Sequence, residues 1–260
     1  CSATFCTNKE EIVVTLHDIT KIKNLEETKK DFVSNVSHEL RTPLTAIKGF
    51  IETLEETTND DENRHYLNII KRHTNRVINI VEDLLLMSEL EEESIRLEFE
   101  DVNLEGLIEN ILKIFDQRLT EKNLALKFNA DRNLSLIKAD PFKLEQVFIN
   151  LIDNAIKYTR KGGVSLVLGL ADDKIVLEVK DTGLGLRPEE IKVIFKKFIR
   201  SKRAVKLEPN GSGLGLFIAQ QAAVRLGGKI SFVSEEKMGS TFQVKLPKIS
   251  KKVKGSQKFA

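Results

Sequence analysis

Between Phe32 and Leu54, apolar residues recur three or four apart at Val36, Leu40, Leu44, Ile47, Ile51 and Leu54. That step predicts an amphipathic helix with one buried stripe. The same step runs back through Leu25 and Ile22 to Ile19 as a short, imperfect coiled coil, so the helix is expected over about residues 20 to 57. The polar cluster Thr57 to Asp61 offers cap-forming side chains for a turn. Leu67, Ile70, Val77, Ile80, Val81, Leu84 and Met87 then carry a second stripe to about residue 92. Two such helices cannot bury their stripes alone, which predicts a helical hairpin that pairs with a second copy as a dimeric four-helix bundle. Upstream, Glu11 to Thr20 alternates apolar and polar and then meets Asp18 and Thr20, reading as one strand followed by a helix start. The other reading of this stretch is a tail that merely alternates.

After the acidic run Glu91 to Glu93 the period changes, and a second domain of alternating strands and helices is expected. Strands are predicted at Ile95 to Glu100, Leu124 to Asn129 and Leu134 to Lys138, and helices at Leu104 to Leu119 and Pro141 to Tyr158, the last with proline in its first turn. Two strands at 163 to 170 and 174 to 181 flank the turn residues Ala171, Asp172 and Asp173. Helices at 188 to 198 and 213 to 227 and a final hairpin at 229 to 246 complete an α/β sandwich, a mixed sheet with helices on one face. The lysine-rich segment from Lys248 reads as a disordered tail.

Composition narrows the functional classes. With 260 residues, 41% of them hydrophobic, the chain supports two modest domains with real cores. Forty-one Lys and Arg against 39 Asp and Glu leave a net charge of +2, so no basic field points to nucleic acid. Cys1 and Cys6 have no third cysteine or histidine at metal spacing and are expected to be reduced thiols. His65 and His73, eight apart, are beyond the reach of one metal ion and read as surface or edge residues. No run is long and apolar enough to span a bilayer, which leads to the expectation of a cytoplasmic piece, with any membrane anchor in segments outside it. A first residue other than Met suggests a fragment of a longer protein.

The chemistry begins with His38. Two residues past Val36, it projects away from the stripe, since each residue turns the helix by ~100°. There an imidazole meets water and visiting reactants, and Glu39 beside it can accept the Nδ1 proton and leave Nε2 as a nucleophile. Pro43 removes its own N–H and crowds the Glu39 carbonyl, weakening the helix next to His38. The string SHELRTPL resembles the H-box of bacterial sensor histidine kinases, with Arg41 and Pro43 at the family's offsets. The resemblance implies His38 as phosphoacceptor and Glu39 as its base. Glu39 and Thr42, three apart on one solvent face, match the family's Glu-x-x-Thr phosphatase signature, in which the hydroxyl orients a water. Asp18-Ile19-Thr20 likewise resembles the exit of a PAS sensor domain.

Three further clusters point to a nucleotide. In NLIDNAIKYT, Asn150 and Asn154 stand four apart on one helical face and can offer two amide oxygens to a Mg²⁺ that bridges phosphates. Asp181, followed by Gly183 and Gly185, leaves a predicted strand and can accept from the adenine amino group. Gly211, Ser212, Gly213, Leu214 and Gly215 open a helix, where free N–H groups suit a phosphate. The loop comes too late in the chain for a dinucleotide fold and carries no Walker lysine. Together these clusters resemble the Bergerat-type ATP-binding fold of histidine kinases and gyrase-like enzymes, over about residues 145 to 216. The resemblance implies Asn154 as the metal contact, Lys157 at the phosphates and Tyr158 near the nucleotide. Ile194 to Arg200 resembles the family's phenylalanine box, although Lys196, Lys197 and Ile199 depart from it. Ser201 to Asn210 resembles the mobile lid, whose Lys202, Arg203 and Lys206 can neutralise phosphate charge.

The expected organisation is therefore the end of a PAS-like sensor at 1 to 20, a dimerisation and phosphotransfer hairpin at 21 to 92, an ATP-binding catalytic domain at 95 to 247 and a basic tail at 248 to 260. The family implies a homodimer using ATP and Mg²⁺, with a response regulator receiver domain as partner. A gyrase-like ATPase, or a dimeric scaffold with a decayed site, is the alternative reading.

Overall fold

The two stripes lie on two long helices, α1 (Thr20–Glu56) and α2 (Asp60–Glu91), as their period requires. Ahead of them β1 (Ser2–Asn8) and β2 (Glu11–His17) form an antiparallel ribbon, with Ser2 opposite His17 and Asn8 opposite Glu11. The alternation foretells only β2; β1 owes its extended form to the ladder it makes with β2. The computed structural model describes residues 2–8, 11–18, 20–56, 60–91, 97–131, 134, 136–172, 174–209 and 211–247. Of 2–8, 11–17, 21–31, 33, 55, 56 and 91 it describes only the backbone. The reading of a tail at 248 to 260 lies outside the described residues. Two compact units result, Cys1–Val77 and Ile78–Ala260, with the boundary inside α2.

In the first unit, Asp18 Oδ1 accepts from the Thr20 N–H at 2.9 Å and starts α1. Phe50 and Tyr66 stack between the helices, ring centroids 5.7 Å apart. Pro43 is buried within α1. The stripes stay open in the single chain: Leu44, Ile51 and Leu67 are 51%, 44% and 55% exposed.

The second unit is built on a five-stranded mixed sheet in the order β4-β6-β7-β9-β8. Its strands are β4 (Ala125–Ala130), β6 (Gly163–Ala171), β7 (Lys174–Asp181), β8 (Lys229–Glu235) and β9 (Gly239–Pro247). Only β4 and β6 run parallel. A smaller ladder pairs β3 (Glu100–Val102) with β5 (Ile137–Ala139). One sheet face carries the core rows Val164, Leu166 and Leu168, then Ile175, Leu177 and Val179, then Phe242, Val244 and Leu246, all buried. Against this face lie α3 (Leu104–Glu121), α4 (Pro141–Tyr158) and α7 (Gly215–Arg225).

Helix α4 is the centre of that core. Asp140 caps it by accepting from the Lys143 N–H at 3.0 Å, and Pro141 supplies a first-turn residue with no N–H to satisfy. Leu144, Val147, Phe148, Leu151, Ile152 and Ile156 are at most 1% exposed. At its C-terminus Lys122 Nζ donates to the carbonyls of Ile156 and Lys157 at 2.8 and 3.0 Å, meeting acceptors that the helix leaves over.

Four expectations need correction. Of the strand predicted over Ile95 to Glu100, residues 95 and 96 lie outside the described residues, 97–99 belong to no element and only Glu100 enters a strand, because the ladder with β5 runs over Glu100–Val102. The strand predicted from Leu134 to Lys138 is correspondingly reduced to β5. The helix predicted over 188 to 198 stops early as α5 (Pro188–Ile191). Residues 192–198 follow as turns and a bend rather than as helix, and end on Phe198 at φ +62°, a left-handed conformation outside any right-handed helix. Finally, a six-residue helix, α6 (Lys202–Leu207), forms inside the segment read as lid, capped by Ser201 Oγ, which accepts from the Ala204 N–H at 3.1 Å. Phe148→Ala should destabilise the second unit by about 3–5 kcal/mol, the usual cost of emptying a buried aromatic position. Chemical denaturation of the full chain, followed by a probe in the sheet, measures this.

Candidate functional site

Strand parity sets the floor of the site. Asp181 ends β7 as the fourth residue of the row Ile175, Leu177, Val179, so its carboxylate points to the buried side and is 6% exposed. Oδ1 accepts from the Gly183 N–H at 2.7 Å. Burial raises its pKa to about 6, against the opposing hydrogen bonds from the Gly183 and Ser240 backbones. Gly185, at φ +56°, lies against the Glu235 backbone so closely that no side chain would fit.

The outward face of α4 forms one wall. Asn150 Nδ2 donates to the Gln146 carbonyl at 2.8 Å, which directs Oδ1 away from the helix and towards Gly215. Asn154 is half-buried and its amide has no hydrogen-bond partner among the described residues. Lys157 Nζ is paired with Asp153, whose other oxygen accepts from Arg118 at 2.7 Å. The opposite wall is the glycine loop. Gly213, at φ +77°, accepts from the Phe198 N–H at 3.1 Å, and the loop feeds α7. Ser212 Oγ accepts from the Leu214 N–H at 3.2 Å and donates to Asp83 Oδ2. Burial raises the pKa of Asp83, outweighing the Ser212 hydrogen bond that lowers it.

These walls enclose a cavity of about 680 Å³. Of the residues singled out in the sequence, Asn150, Asn154, Lys157, Tyr158, Asp181, Gly185, Arg200, Gly211, Ser212, Gly213 and Gly215 line it. Gly183 and Leu214 do not; the first donates to Asp181 and the second is fully buried beneath the loop. Arg200 faces the cavity, but its guanidinium is turned to the lid carbonyls of Glu208 and, at 2.7 and 3.3 Å, of Gly211 and Pro209. It organises the lid segment. Arg203 is likewise engaged, with Glu190 at 2.8 Å and Glu236 at 3.1 Å.

In the first unit His38 is exposed, as its helical phase requires. Glu39 is turned towards α2, where its Oε2 accepts from Arg76 Nη2 at 2.8 Å. Thr42 Oγ1 donates to the His38 carbonyl at 3.1 Å, leaving its oxygen lone pairs outward. His73 is half-buried, and burial, then Arg72 and Arg76, lowers its pKa.

Comparison with known proteins agrees with this geometry. Residues 28–93 match the His Kinase A (phospho-acceptor) domain, and residues 139–250 match the histidine kinase-, DNA gyrase B- and HSP90-like ATPase family. The chain belongs to the bacterial sensor histidine kinases. It is 33% identical over 243 residues to sensor protein SrrB of Staphylococcus aureus, an alignment covering 92% of this chain and 42% of SrrB. The chain thus spans less than half the length of the curated relatives it matches. Among solved structures, histidine kinase ThkA in complex with response regulator protein TrrA is 25% identical with a TM-score of 0.69, over 95% of this chain and 78% of that one. Full-length ShkA in complex with AMPPNP is 28% identical with a TM-score of 0.63, over 84% and 45%.

Within this histidine kinase, sequence reasoning missed Asp83, Lys122 and Arg76. Each acts on a partner far along the chain, so periodicity carries no trace of it. The amide oxygens of Asn150 and Asn154 suit a hard cation that keeps water and phosphate oxygens as its other ligands. The raised Asp181 pKa gives a signed expectation. A carboxylate accepts from an adenine amino group better than a protonated carboxyl, so ATP affinity should fall as pH drops through about 6. The apo-protein should show the opposite slope: Asp181 contributes stability below the usual carboxylate range, and this is lost as pH rises through about 6. Calorimetric binding and thermal melting from about pH 5 to about pH 7.5 test both, and Asp181→Asn should flatten each profile.

Proposed function

We propose that the chain is the dimerisation and catalytic portion, cytoplasmic in location, of a sensor kinase that phosphorylates His38 from ATP and passes the phosphoryl group to an aspartate of a response regulator. The observation that carries this reading is the convergence of Asn150, Asn154, Asp181 and the glycine loop on one cavity, with an exposed His38 on a separate helix. Asp181 accepts from the adenine amino group, and the N–H groups opening α7 face the phosphates. Asn154, with Asn150, holds Mg²⁺, which supplies charge neutralisation at the phosphate oxygens. Nε2 of His38 attacks the γ-phosphorus in line; the bond to the β,γ-bridging oxygen breaks, the N–P bond forms and ADP leaves. Glu39 holds the proton on Nδ1, so that Nε2 keeps its lone pair. In the second transfer the N–P bond breaks as a regulator carboxylate takes the phosphoryl group. The open stripe residues Leu44, Ile51 and Leu67 support a homodimer closing a four-helix bundle. The organisation at 1 to 20, 21 to 92, 95 to 247 and 248 to 260 belongs to this reading. No helix among the described residues is long and apolar enough to cross a membrane.

Incubation with Mg-ATP should give an acid-labile, alkali-stable label that is lost in His38→Gln and in Asn154→Ala. Undiminished label in His38→Gln would remove the kinase assignment. We also assign phosphatase activity to the same helix. Thr42, its proton given to the His38 carbonyl, keeps lone pairs with which to hold a water against the regulator's acyl phosphate. Thr42→Ala should slow phospho-regulator decay by ~10²-fold while His38 labelling survives. An unchanged decay rate would leave the back-bond as the whole role of this hydroxyl.

A further inference from the structure

In the first unit the carboxylate next to the phosphoacceptor is not free. Glu39 Oε2 accepts from Arg76 Nη2 at 2.8 Å, and the two side chains are only 34% and 15% exposed. Among the described residues Glu39 is the only hydrogen-bond partner of the Arg76 guanidinium, whose Nε is buried without one. By contrast, the pair Lys48 and Glu52 on the same helix is 3.7 Å apart, with side chains 78% and 61% exposed. A pair of that kind contributes little, whereas a largely buried guanidinium with one partner fixes that partner's position.

We propose that Arg76 is a positioning residue for Glu39, and through it for the His38 imidazole. The proposal rests on the kinase reading. Neighbouring residues on a helix point about 100° apart, so an unanchored Glu39 would spread over rotamers that mostly miss His38. Arg76 takes one carboxylate oxygen and holds the group at the inter-helix groove. Oε1 is left free to accept the Nδ1 proton, since an ionised carboxylate has acceptor capacity on both oxygens. Restricting Glu39 in this way removes rotamer entropy before the reaction rather than during it. The imidazole is thereby biased to the tautomer whose Nε2 lone pair faces outward. No proton moves to Arg76, which acts only through Glu39.

The experiment uses the full 260-residue chain and four variants: Arg76→Ala, Arg76→Lys, Glu39→Gln and Arg76→Ala with Glu39→Gln. Initial rates of His38 phosphorylation are measured across Mg-ATP concentrations. Arg76→Ala should lower the saturating rate by about 10²-fold, the low end of what a positioned base contributes, with the KM for ATP unchanged. Arg76→Lys should recover part of that loss. In the Glu39→Gln background, removing Arg76 should cost less than about twofold, because the residue it positions is already gone. Equal costs in both backgrounds would mean that Arg76 only staples the helices, and overturn the proposal. A faster Arg76→Ala enzyme would overturn it as well, by showing that the pair holds Glu39 off His38. Should Arg76→Ala lose the dimer or its helical signal, Arg76→Gln, which keeps the stem, carries the same expectations. A second readout needs no catalysis. Imidazole ¹⁵N shifts of His38 should show the Nδ1–H tautomer dominant in the parent chain and depleted in Arg76→Ala. An unchanged tautomer ratio overturns the positioning role even where His38 is labelled. Label that persists in His38→Gln, with the tautomer shift intact, would instead count against the kinase reading alone.

Discussion

Burial of one face of α4 is the constraint on which the catalytic unit depends. Phe148, Leu144, Leu151 and Ile152 must be covered by the sheet and by neighbouring helices, which fixes the rotation of α4 about its own axis. Once that rotation is fixed, Asn150 and Asn154 can only lie on the cavity side. The same sheet sets Asp181 by parity, and α7, whose Ile218, Ala219 and Ala222 are fully buried, sets where the glycine loop ends. The small side chains of α7 let it approach closely, and Gly215 completes the fit, since a side chain there would strike the Asn150 amide. The site is thus a by-product of core packing, in which polar groups occupy the positions that packing leaves open.

Charge in the second unit is arranged around that cavity with little to spare. Arg118, Asp153 and Lys157 form one chain of contacts, and Arg187, Glu236, Arg203 and Glu190 another. The second chain runs between the lid helix α6 and the hairpin of β8 and β9. Lid cations that look available for phosphate in the sequence are therefore partly committed to carboxylates. Two acids, Asp83 and Asp181, sit where burial works against their ionisation. Asp153 and Glu190, also on the cavity wall, are instead paired with cations.

Much of this was legible in the sequence because the signals were periodic or local. The stripes gave both long helices, and α4 and the central hairpin β6 and β7 fall within a residue or so of expectation. Local rules failed where a distant partner decides. The helix after Pro188 has the right composition to continue, yet it gives way after Ile191 to turns that bring a left-handed Phe198 to Gly213, and no property of residues 192 to 198 announces that contact. The strand near residue 100 is short because its partner is short. Arg76 and Glu39 are 37 positions apart on different helices, and neither lies in a pattern that pairs them. Asp181 is the instructive middle case: its burial follows from counting by two along β7, although its altered acidity does not.

The proline in α1 has a mechanical consequence. An uninterrupted helix resists bending through a continuous ladder of hydrogen bonds, and Pro43 removes one rung while sitting in a buried position. From Thr20 to Thr42 the helix forms an arm about 35 Å long, at a rise of about 1.5 Å per residue. Each degree of bend at the missing rung moves the far end of that arm by about 0.6 Å. His38 and Glu39 lie within a turn or so of the fulcrum, where the displacement is smallest but the change of local angle is greatest. Any displacement at the entry to α1 is in this way geared down to a small reorientation of the His38 and Glu39 side chains.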